Sequence, residues 1–307
     1  MGAIRGAVVA VAAAGLLSGC GLGAGAAPQG VKLTVTREFG SVEVHHSGAL
    51  QVRGQETAMS LLMRNYAVQT QFGGGFVQSI DGLSGGTHDG APVAWFYFVN
   101  GIEAPKGAAA TTVPAGSRVW WDLRDWSATE NVAAVVGSFP QPFLSGYQGK
   151  RLPVRVECTA EATTACGTVS SKLEHYGVPA AIGGVASGEL PDTLRVLVGT
   201  DAALSTEGVI RSLAEGPHAS GVYAHLSGGT LTALRPSGAP ATQFGAGTGL
   251  IAAVSQDFNG PPAWVITGTD LAGVERAANA LGESSLRNHF AVAVPADGGV
   301  VALPEVG

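Results

Sequence analysis

The stretch Val93-Ala-Trp-Phe-Tyr-Phe-Val-Asn-Gly101 is the densest part of a longer region, Phe72 to Gly101, around which the rest of the chain is organised. Asn-Gly at its end tolerates positive φ at both central positions of a type I′ turn and therefore predicts a β-hairpin. Alternation along a strand places Ala94, Phe96 and Phe98 on one face and Trp95, Tyr97 and Val99 on the other. Because neither set is polar, we expect both faces of this strand to be covered.

Length and composition favour a globular protein of two domains. The chain has 307 residues, of which 46% are hydrophobic and 13% are charged, and this balance argues against extensive disorder. The net charge is −6 and the Lys and Arg residues form no run. A general nucleic-acid binder needs a basic stripe, so nucleic acid is not an expected partner.

The N-terminus has the pattern of a bacterial export signal. Arg5 precedes an apolar segment, Gly6 to Leu17, that at roughly 12 residues is too short to span a bilayer. Leu17-Ser-Gly-Cys20 resembles the lipobox of bacterial lipoproteins, in which the bond before the Cys is cut and its sulfur carries a diacylglyceryl group. The alternative is an ordinary secretory signal with an incidental Cys.

The lipobox resemblance implies a signal peptide at residues 1–19 and a flexible Gly/Ala-rich tether at residues 20–30. It also implies an extracytoplasmic protein that is attached to the bacterial cell membrane through lipidated Cys20. Two acyl chains suffice for stable anchoring.

The remaining cysteines, Cys158 and Cys166, are separated by small and polar residues that are typical of a loop. Outside the cytoplasm such a pair predicts a disulfide, which would stabilise the fold by roughly 2–3 kcal/mol in the chain-entropy model. Two free thiols or a metal-binding pair are the alternatives. No His or Cys lies at zinc-finger spacing from them, and no metal site is expected.

The first half of the chain predicts an α+β domain over residues 31–137. Alternating or apolar runs predict strands at 31–35, 76–80, 93–99 and 117–123. One apolar stripe predicts a helix over residues 56–66. The order of these elements suggests a β-grasp-like sheet that is crossed by one helix.

The following segment predicts the end of this domain. Ser127 and Glu130 have the spacing of a capping box, which predicts a short helix at residues 131–136. Residues 138–152 contain prolines and glycines between aromatic residues, and we interpret them as a linker.

Residues 153–307 show the alternation of strands and helices that is typical of an α/β domain with a mostly parallel sheet. Gly-Thr-Asp follows two apolar strands, at residues 199–201 and 268–270. In open α/β sheets, ligands bind at the carboxyl ends of such strands. Gly245-Ala-Gly-Thr-Gly249 is predicted to open a helix that runs to Gln256, either as a structural turn or as an anion cradle.

Three segments of the first half resemble the small C-terminal β-domain of transcobalamin and intrinsic factor. They are Phe72–Ile80, Trp95–Gly101 and Val113–Trp121, so the resemblance covers roughly residues 31–126. In that family the domain closes over cobalamin and holds it against a large α-helical barrel. The resemblance implies cobalamin or a related corrinoid as the bound ligand. Because the sequence has no counterpart of the barrel, a partner protein or the α/β domain would supply the other half of the site.

The resemblance assigns the ligand contacts to the Gly-rich stretch and to the aromatic strand. Aromatic walls and free backbone amides would suit the apolar faces and amide rim of a corrin. The number of aromatic side chains on these strands also exceeds what one face of a small sheet needs, and core packing is the alternative for each ring. The candidate ligand-binding residues are Gly75, Phe76, Gln78, Ser79, Trp95, Tyr97 and Trp120.

The functional expectation is a ligand-binding lipoprotein of the cell surface that captures a corrinoid together with a partner. The alternative is a non-enzymatic module for protein–protein interaction and assembly in the envelope. No nucleophile, zinc or nucleotide motif is complete, so the chain is not expected to be an enzyme. A third hypothesis, an α/β domain acting on a nucleotide or sugar, would depend on Asp201 or Asp270. Asp122, Arg124 and Asp125 are interpreted as a solvated group of ion pairs.

Overall fold

The structure is a computed structural model that describes residues 30–186, 192–255 and 260–307, together with Gly2 and Leu190. The predicted signal peptide, lipidated Cys20 and almost all of the tether lie outside these residues. Within the described part of the chain, no helix combines the length and the apolar character needed to cross a bilayer.

The described residues form nineteen strands and six α-helices, a mixed α/β fold that is mostly sheet. The strands are β1 Val31–Arg37, β2 Val42–Leu50, β3 Val68–Gln71, β4 Phe76–Ile80, β5 Leu83–Ser84, β6 Gly86–His88, β7 Ala91–Val99, β8 Ile102–Glu103, β9 Arg118–Asp125, β10 Val154–Cys158, β11 Ala180–Gly184, β12 Leu194–Val198, β13 Ala224–Ser227, β14 Thr230–Leu234, β15 Pro240–Phe244, β16 Gly249–Ser255, β17 Pro262–Gly268, β18 Ala291–Val294 and β19 Val301–Leu303. The helices are α1 Ala58–Asn65, α2 Thr163–His175, α3 Gly208–Glu215, α4 Pro217–Ser220, α5 Leu271–Ala280 and α6 Glu283–Leu286.

The first sheet has the strand order β2-β1-β9-β7-β6, with β8 paired to β7. Strands β1 and β9 are parallel, and the other pairs are antiparallel. Asn100 and Gly101 have φ of 56° and 77° and join β7 to β8, where Val99 pairs with Ile102. The predicted hairpin is therefore confirmed, and β7 forms the antiparallel partner of β9.

One face of this sheet is covered by α1 and by the small sheet β3-β4-β5. Leu33, Trp121 and Trp95 of the large sheet pack in one core with Leu61 of α1. Helix α1 begins at a capping box in which Thr57 accepts a hydrogen bond from the backbone N–H of Ser60. The apolar stripe that predicts this helix is thus its buried face.

The opposite face of the sheet is covered by the second half of the chain. Phe98 and Trp120 lie on this face and pack against Phe290, with ring centroids 5.5 and 5.3 Å away. Phe39 and Tyr223 belong to the same buried cluster. The prediction that both faces are covered is confirmed, and the second cover is this chain's own second half.

The second sheet has the order β11-β10-β12-β17-β16-β18-β19. Strands β11, β10, β12 and β17 run parallel, whereas β16, β18 and β19 pair antiparallel. Helices α2 and α5 pack on one face, and α3 with the small sheet β13-β14-β15 packs on the other. The sheet is mixed instead of mostly parallel.

The predicted helix from Gly249 to Gln256 is wrong, because Gly249–Ser255 is strand β16 at the antiparallel side of β17. Leu250 is buried in the core under α3, and Ile251 is buried in the core under α2 and α5. A short apolar run that is buried on both faces has no periodicity with which to distinguish a strand from a helix. Gln256 itself lies outside the described residues.

The connection between the halves also differs from the prediction. Residues 131–135 contain no helix, and Val135 donates a backbone hydrogen bond to Gly101, with a 3-10 turn following at Val136–Ser138. Within residues 138–152, Phe139 and Phe143 are buried against Trp264. The aromatic residues therefore make this segment part of the core that joins the two halves.

Candidate functional site

The turn between β3 and β4 carries two exposed aromatic rings. Phe72 is 86% exposed and Phe76 is 38% exposed, and their centroids lie 6.3 Å apart in an edge-to-face arrangement. We refer to residues 72–76 as the aromatic tip. Exposed neighbouring rings offer apolar surface that the chain itself does not bury.

The backbone of the aromatic tip is held in an uncommon conformation. Phe72, Gly73 and Gly74 have φ of 52°, 70° and 92°. Glycine adopts this region freely, but an aromatic residue there is an outlier whose strain costs on the order of 1–3 kcal/mol. The ring of Phe72 gains little packing in return, and such uncompensated strain is typical of a binding element.

A neighbouring loop lies beside the aromatic tip. A β-carbon at Gly107 would be 3.6 Å from the carbonyl oxygen of Gly75. The hydroxyl of Tyr97 donates to the carbonyl of Lys106 and lies 2.8 Å from Oγ1 of Thr111. Burial raises the pKa of Tyr97, against the opposing effect of the Thr111 hydrogen bond. The tyrosine thus supports the loop next to Gly75 and remains neutral.

Three predicted site residues instead hold the small sheet in place. Gln78 donates to the carbonyl of Gly85 and the indole of Trp95 donates to that of Leu83, each at 3.1 Å. Ser79 and Trp95 are buried. Because both side chains are buried, Ser79 and Trp95 do not contribute to an open ligand surface.

Trp120 lies on the opposite face of the sheet from Trp95. Its indole N–H donates to Oγ1 of Thr36 at 2.7 Å, and its ring is buried at the contact between the halves. Strand alternation separates the two rings, so the predicted single aromatic face is not formed. Of the predicted set, only Gly75 and Phe76, supported by Tyr97, come together at the surface.

Sequence reasoning missed a buried charged cluster beneath the first sheet. Asp122 accepts hydrogen bonds from Oγ1 of Thr36 and from the backbone N–H groups of Phe39 and Gly40. Burial raises the pKa of Asp122 to about 6, although these hydrogen bonds and Arg124 favour its charged form. The interpretation of Asp122 and Arg124 as solvated is therefore wrong.

Arg124 is fully buried beside this carboxylate. It donates to the carbonyls of Thr129 and Glu130 at 3.1 and 2.7 Å, and its guanidinium lies 3.7 Å from Glu103. Burial raises the pKa of Glu103 to about 7, against the opposing charge of Arg124. Asp122 and Arg124 are fully buried, and their hydrogen bonds end on groups of the fold, which favours a structural role for the cluster.

The two Gly-Thr-Asp segments meet at one edge of the second sheet, where the backbone N–H of Asp201 donates to Gly268 at 3.3 Å. Asp270 caps α5, accepting from Gly273 N at 2.9 Å and from Gly247 N at 2.8 Å. Its carboxylate is therefore fully engaged in the fold. The Gly247 amide is used in the same way, which favours the structural turn over an anion cradle.

Cys158 and Cys166 form a disulfide with Cα atoms 6.0 Å apart, as predicted. The bond ties the end of β10 to the first turns of α2. This position fixes α2 at the same edge of the sheet as the Gly-Thr-Asp segments.

Comparison with known proteins gives a partial family match. The model of a domain of unknown function, DUF4430, matches residues 55–125, a range that includes the aromatic tip. No curated protein matches the chain. A crystal structure at 1.30 Å of a protein from Ruminococcus gnavus ATCC 29149, described as a "putative metal binding protein", is 16% identical, with 32% of this chain and 97% of that chain covered at a TM-score of 0.26. A likeness at this level does not establish a shared fold.

Proposed function

We propose that this chain is a non-enzymatic binding protein of the bacterial cell envelope, and that it docks onto a partner protein through the aromatic tip. The observation that supports this most is the exposed ring of Phe72 in a strained backbone conformation. Exposed rings that the fold does not bury are typical of protein interaction sites. The aromatic tip has no titratable side chain, so it can bind but offers no acid, base or nucleophile.

The anchor and the aromatic tip belong to the same proposal. Cleavage before Cys20 and lipidation of its sulfur would leave a Gly/Ala-rich tether between the membrane and β1. The tether gives the folded part reach, and the aromatic tip then meets partners near the outer side of the membrane. A chain anchored in this way would lie outside the cytoplasm.

Corrinoid capture is the second candidate function, and one observation favours it. The backbone at Gly73 and Gly74 is open, because a β-carbon at either position would have no atom within 4 Å. Accessible amides beside two phenyl rings suit a ligand with apolar faces and an amide rim. In this version, residues 31–126 are a transcobalamin-like domain, and a partner covers the other side of the ligand.

The test of docking is site-specific photocrosslinking in cells, with benzoylphenylalanine replacing Phe72. We expect a discrete adduct with one envelope protein, and we expect F72S/F76S to abolish co-purification of that protein. Leu271, which is 40% exposed on α5, supplies the matched control position. An adduct pattern at residue 72 identical to that at residue 271 would remove the docking proposal.

The corrinoid candidate has its own readout. The purified full chain is titrated with cobalamin while the visible spectrum is recorded, both alone and with the partner protein that crosslinking identifies. A saturable shift that F76S removes supports capture between the aromatic tip and the partner. An unchanged spectrum with the partner present eliminates it and leaves docking unaffected.

A further inference from the structure

A cavity lies between α2 and residues 281–284 of the second half. Its volume is about 770 Å³, within the range of small-molecule sites. Most of its lining residues carry a hydroxyl, amine or imidazole group, and Leu281 and the Tyr176 ring add apolar surface. The polar side chains that face it include Thr164, Thr168, Ser171, Lys172, His175 and Ser284.

The floor of this cavity depends on a glycine inside α2. Gly167 lies among the lining residues, and a β-carbon there would have no atom within 4 Å. Glycine within a helix costs about 1 kcal/mol relative to alanine. Packing does not require this glycine, but its lack of a side chain keeps the groove open.

A second cavity shares one wall with the first. It has a volume of about 140 Å³, well above the 10–15 Å³ that a single water needs, and Glu283 lines both cavities. The backbone N–H of Glu283 donates to the Tyr176 hydroxyl on the side of the larger cavity. Its carboxylate contacts Lys32 at 3.3 Å and Arg118 at 2.8 Å on the side of the smaller one.

The smaller cavity is rich in cations for a chain with a net charge of −6. Lys32, Arg118 and Arg287 line it, and Lys172 lines the adjoining groove. Glu283 and Glu43, which accepts from Asn288 at 2.8 Å, are the carboxylates at its wall and rim. Among the described residues Arg287 has no ion pair, so its exposed guanidinium is available to an added anion.

We infer that the two cavities form one binding site for a phosphorylated sugar or polyol. The hydroxyl-lined groove along α2 takes the polyol, because its side chains supply both donors and acceptors. The smaller cavity takes the phosphate, since a guanidinium matches phosphate oxygens in a bidentate geometry. Glu283 lies between the two cavities, and its carboxylate accepts a hydrogen bond from a hydroxyl of the ligand.

The test is calorimetric titration of the purified full chain with glucose 6-phosphate, glucose and inorganic phosphate. We expect glucose 6-phosphate to bind at least about tenfold more tightly than either of the other probes, because only it fills both cavities. R287Q is expected to lower the affinity for glucose 6-phosphate and for phosphate by at least about tenfold.

Two further variants separate this site from general charge effects. G167Q places a side chain in the groove. It is expected to lower the affinity for glucose 6-phosphate and to leave the affinity for phosphate unchanged. R151Q removes an exposed arginine that lines neither cavity and is expected to change nothing. Thermal melting of each variant confirms that it is folded.

Three results would each overturn the inference. The first is the absence of saturable binding of glucose 6-phosphate up to about 10 mM. The second is an affinity equal to that of phosphate alone. The third is an affinity for glucose 6-phosphate that is the same in folded R287Q and folded G167Q as in the natural chain.

Discussion

The guanidinium carbon of Arg124 lies 3.8 Å from the centre of the Phe96 ring, and the arginine side chain is fully buried. This stacking, with hydrogen bonds to two carbonyls and the nearby carboxylate of Glu103, replaces the water that the cation loses on folding. The pair lies on the face of the first sheet that the second half covers. The stability of the contact between the halves therefore depends on a charged residue as well as on apolar rings.

Removing this cation should be strongly destabilising. We expect R124M to lower the free energy of unfolding by about 3–5 kcal/mol, because it leaves buried acceptors without their partner. R37M removes a surface arginine whose Glu38 pair is half exposed, so we expect a loss of less than about 1 kcal/mol. Urea unfolding of the two variants measures the difference, and equal losses would contradict the buried role.

Stability should fall as pH rises through the titration of the buried carboxyl groups. Burial raises the pKa of Glu103 from its usual 4.5 to about 7 and that of Asp122 from 3.8 to about 6. Between the ordinary and the raised pKa of each group, the folded protein retains a proton that the unfolded chain releases. The free energy of unfolding therefore decreases between about pH 4 and pH 7. Glu103 alone should contribute on the order of 2–3 kcal/mol to this decrease.

The control for this pH dependence is E103Q, which removes one of the titrating groups. His289, whose pKa burial lowers from 6.5, gives the opposite slope below about pH 6.5, but its effect cancels in the difference between the two proteins. Chemical denaturation at several pH values measures that difference. A pH profile that is unchanged by E103Q would show that Glu103 has a normal pKa.

Replacing Phe72 should separate stability from binding. Asparagine tolerates the left-handed region, so F72N is expected to raise the free energy of unfolding by about 1 kcal/mol while weakening the proposed docking. F98A, at a fully buried ring, should instead lose about 3–5 kcal/mol. Differential scanning calorimetry reports both. A large loss of stability in F72N would mean that the ring packs within the fold.

The disulfide should contribute measurably to stability. Its loop spans a sequence separation of 8, and the double variant C158A/C166A is expected to lose roughly 2–3 kcal/mol. Thiol titration of the unfolded, unreduced protein supplies an independent check. Two reactive thiols at these positions would contradict the bond.

Lipidation at Cys20 should determine where the protein is found. In detergent phase partitioning, C20A is expected to move the protein from the detergent-rich to the detergent-poor phase, because the variant lacks the two acyl chains. C158A keeps the proposed lipidation site and is the matched control. Mass spectrometry of the mature N-terminus gives a direct reading, and an unmodified Cys20 would eliminate the anchor.

The elements that could be predicted are those whose pattern is local. Period-2 alternation identified β1 and β4, and a single stripe identified α1, because each has one buried face. Asn100-Gly101 identified its hairpin, because few dipeptides tolerate positive φ at both positions. The disulfide followed from two cysteines at short spacing.

The elements that could not be predicted depend on distant parts of the chain. Trp120 is buried because Phe290 packs on it, and nothing near residue 120 in the sequence indicates that contact. Asp122 and Arg124 appeared solvated for the same reason. The exposure of Phe72 had a partial signal in the three glycines that follow it, but the positive φ of Phe72 itself had none.

The seam formed by Phe98, Trp120 and Phe290 limits how the first half can be used elsewhere. A fragment that ends at residue 137 would expose the rings of Phe98 and Trp120 to solvent, and the Asp122 carboxyl group would lose part of its protein surroundings. Fused to another protein, that fragment would need either a new covering element or polar substitutions on this face of the sheet. The first half therefore depends on the second half to cover this face of its sheet.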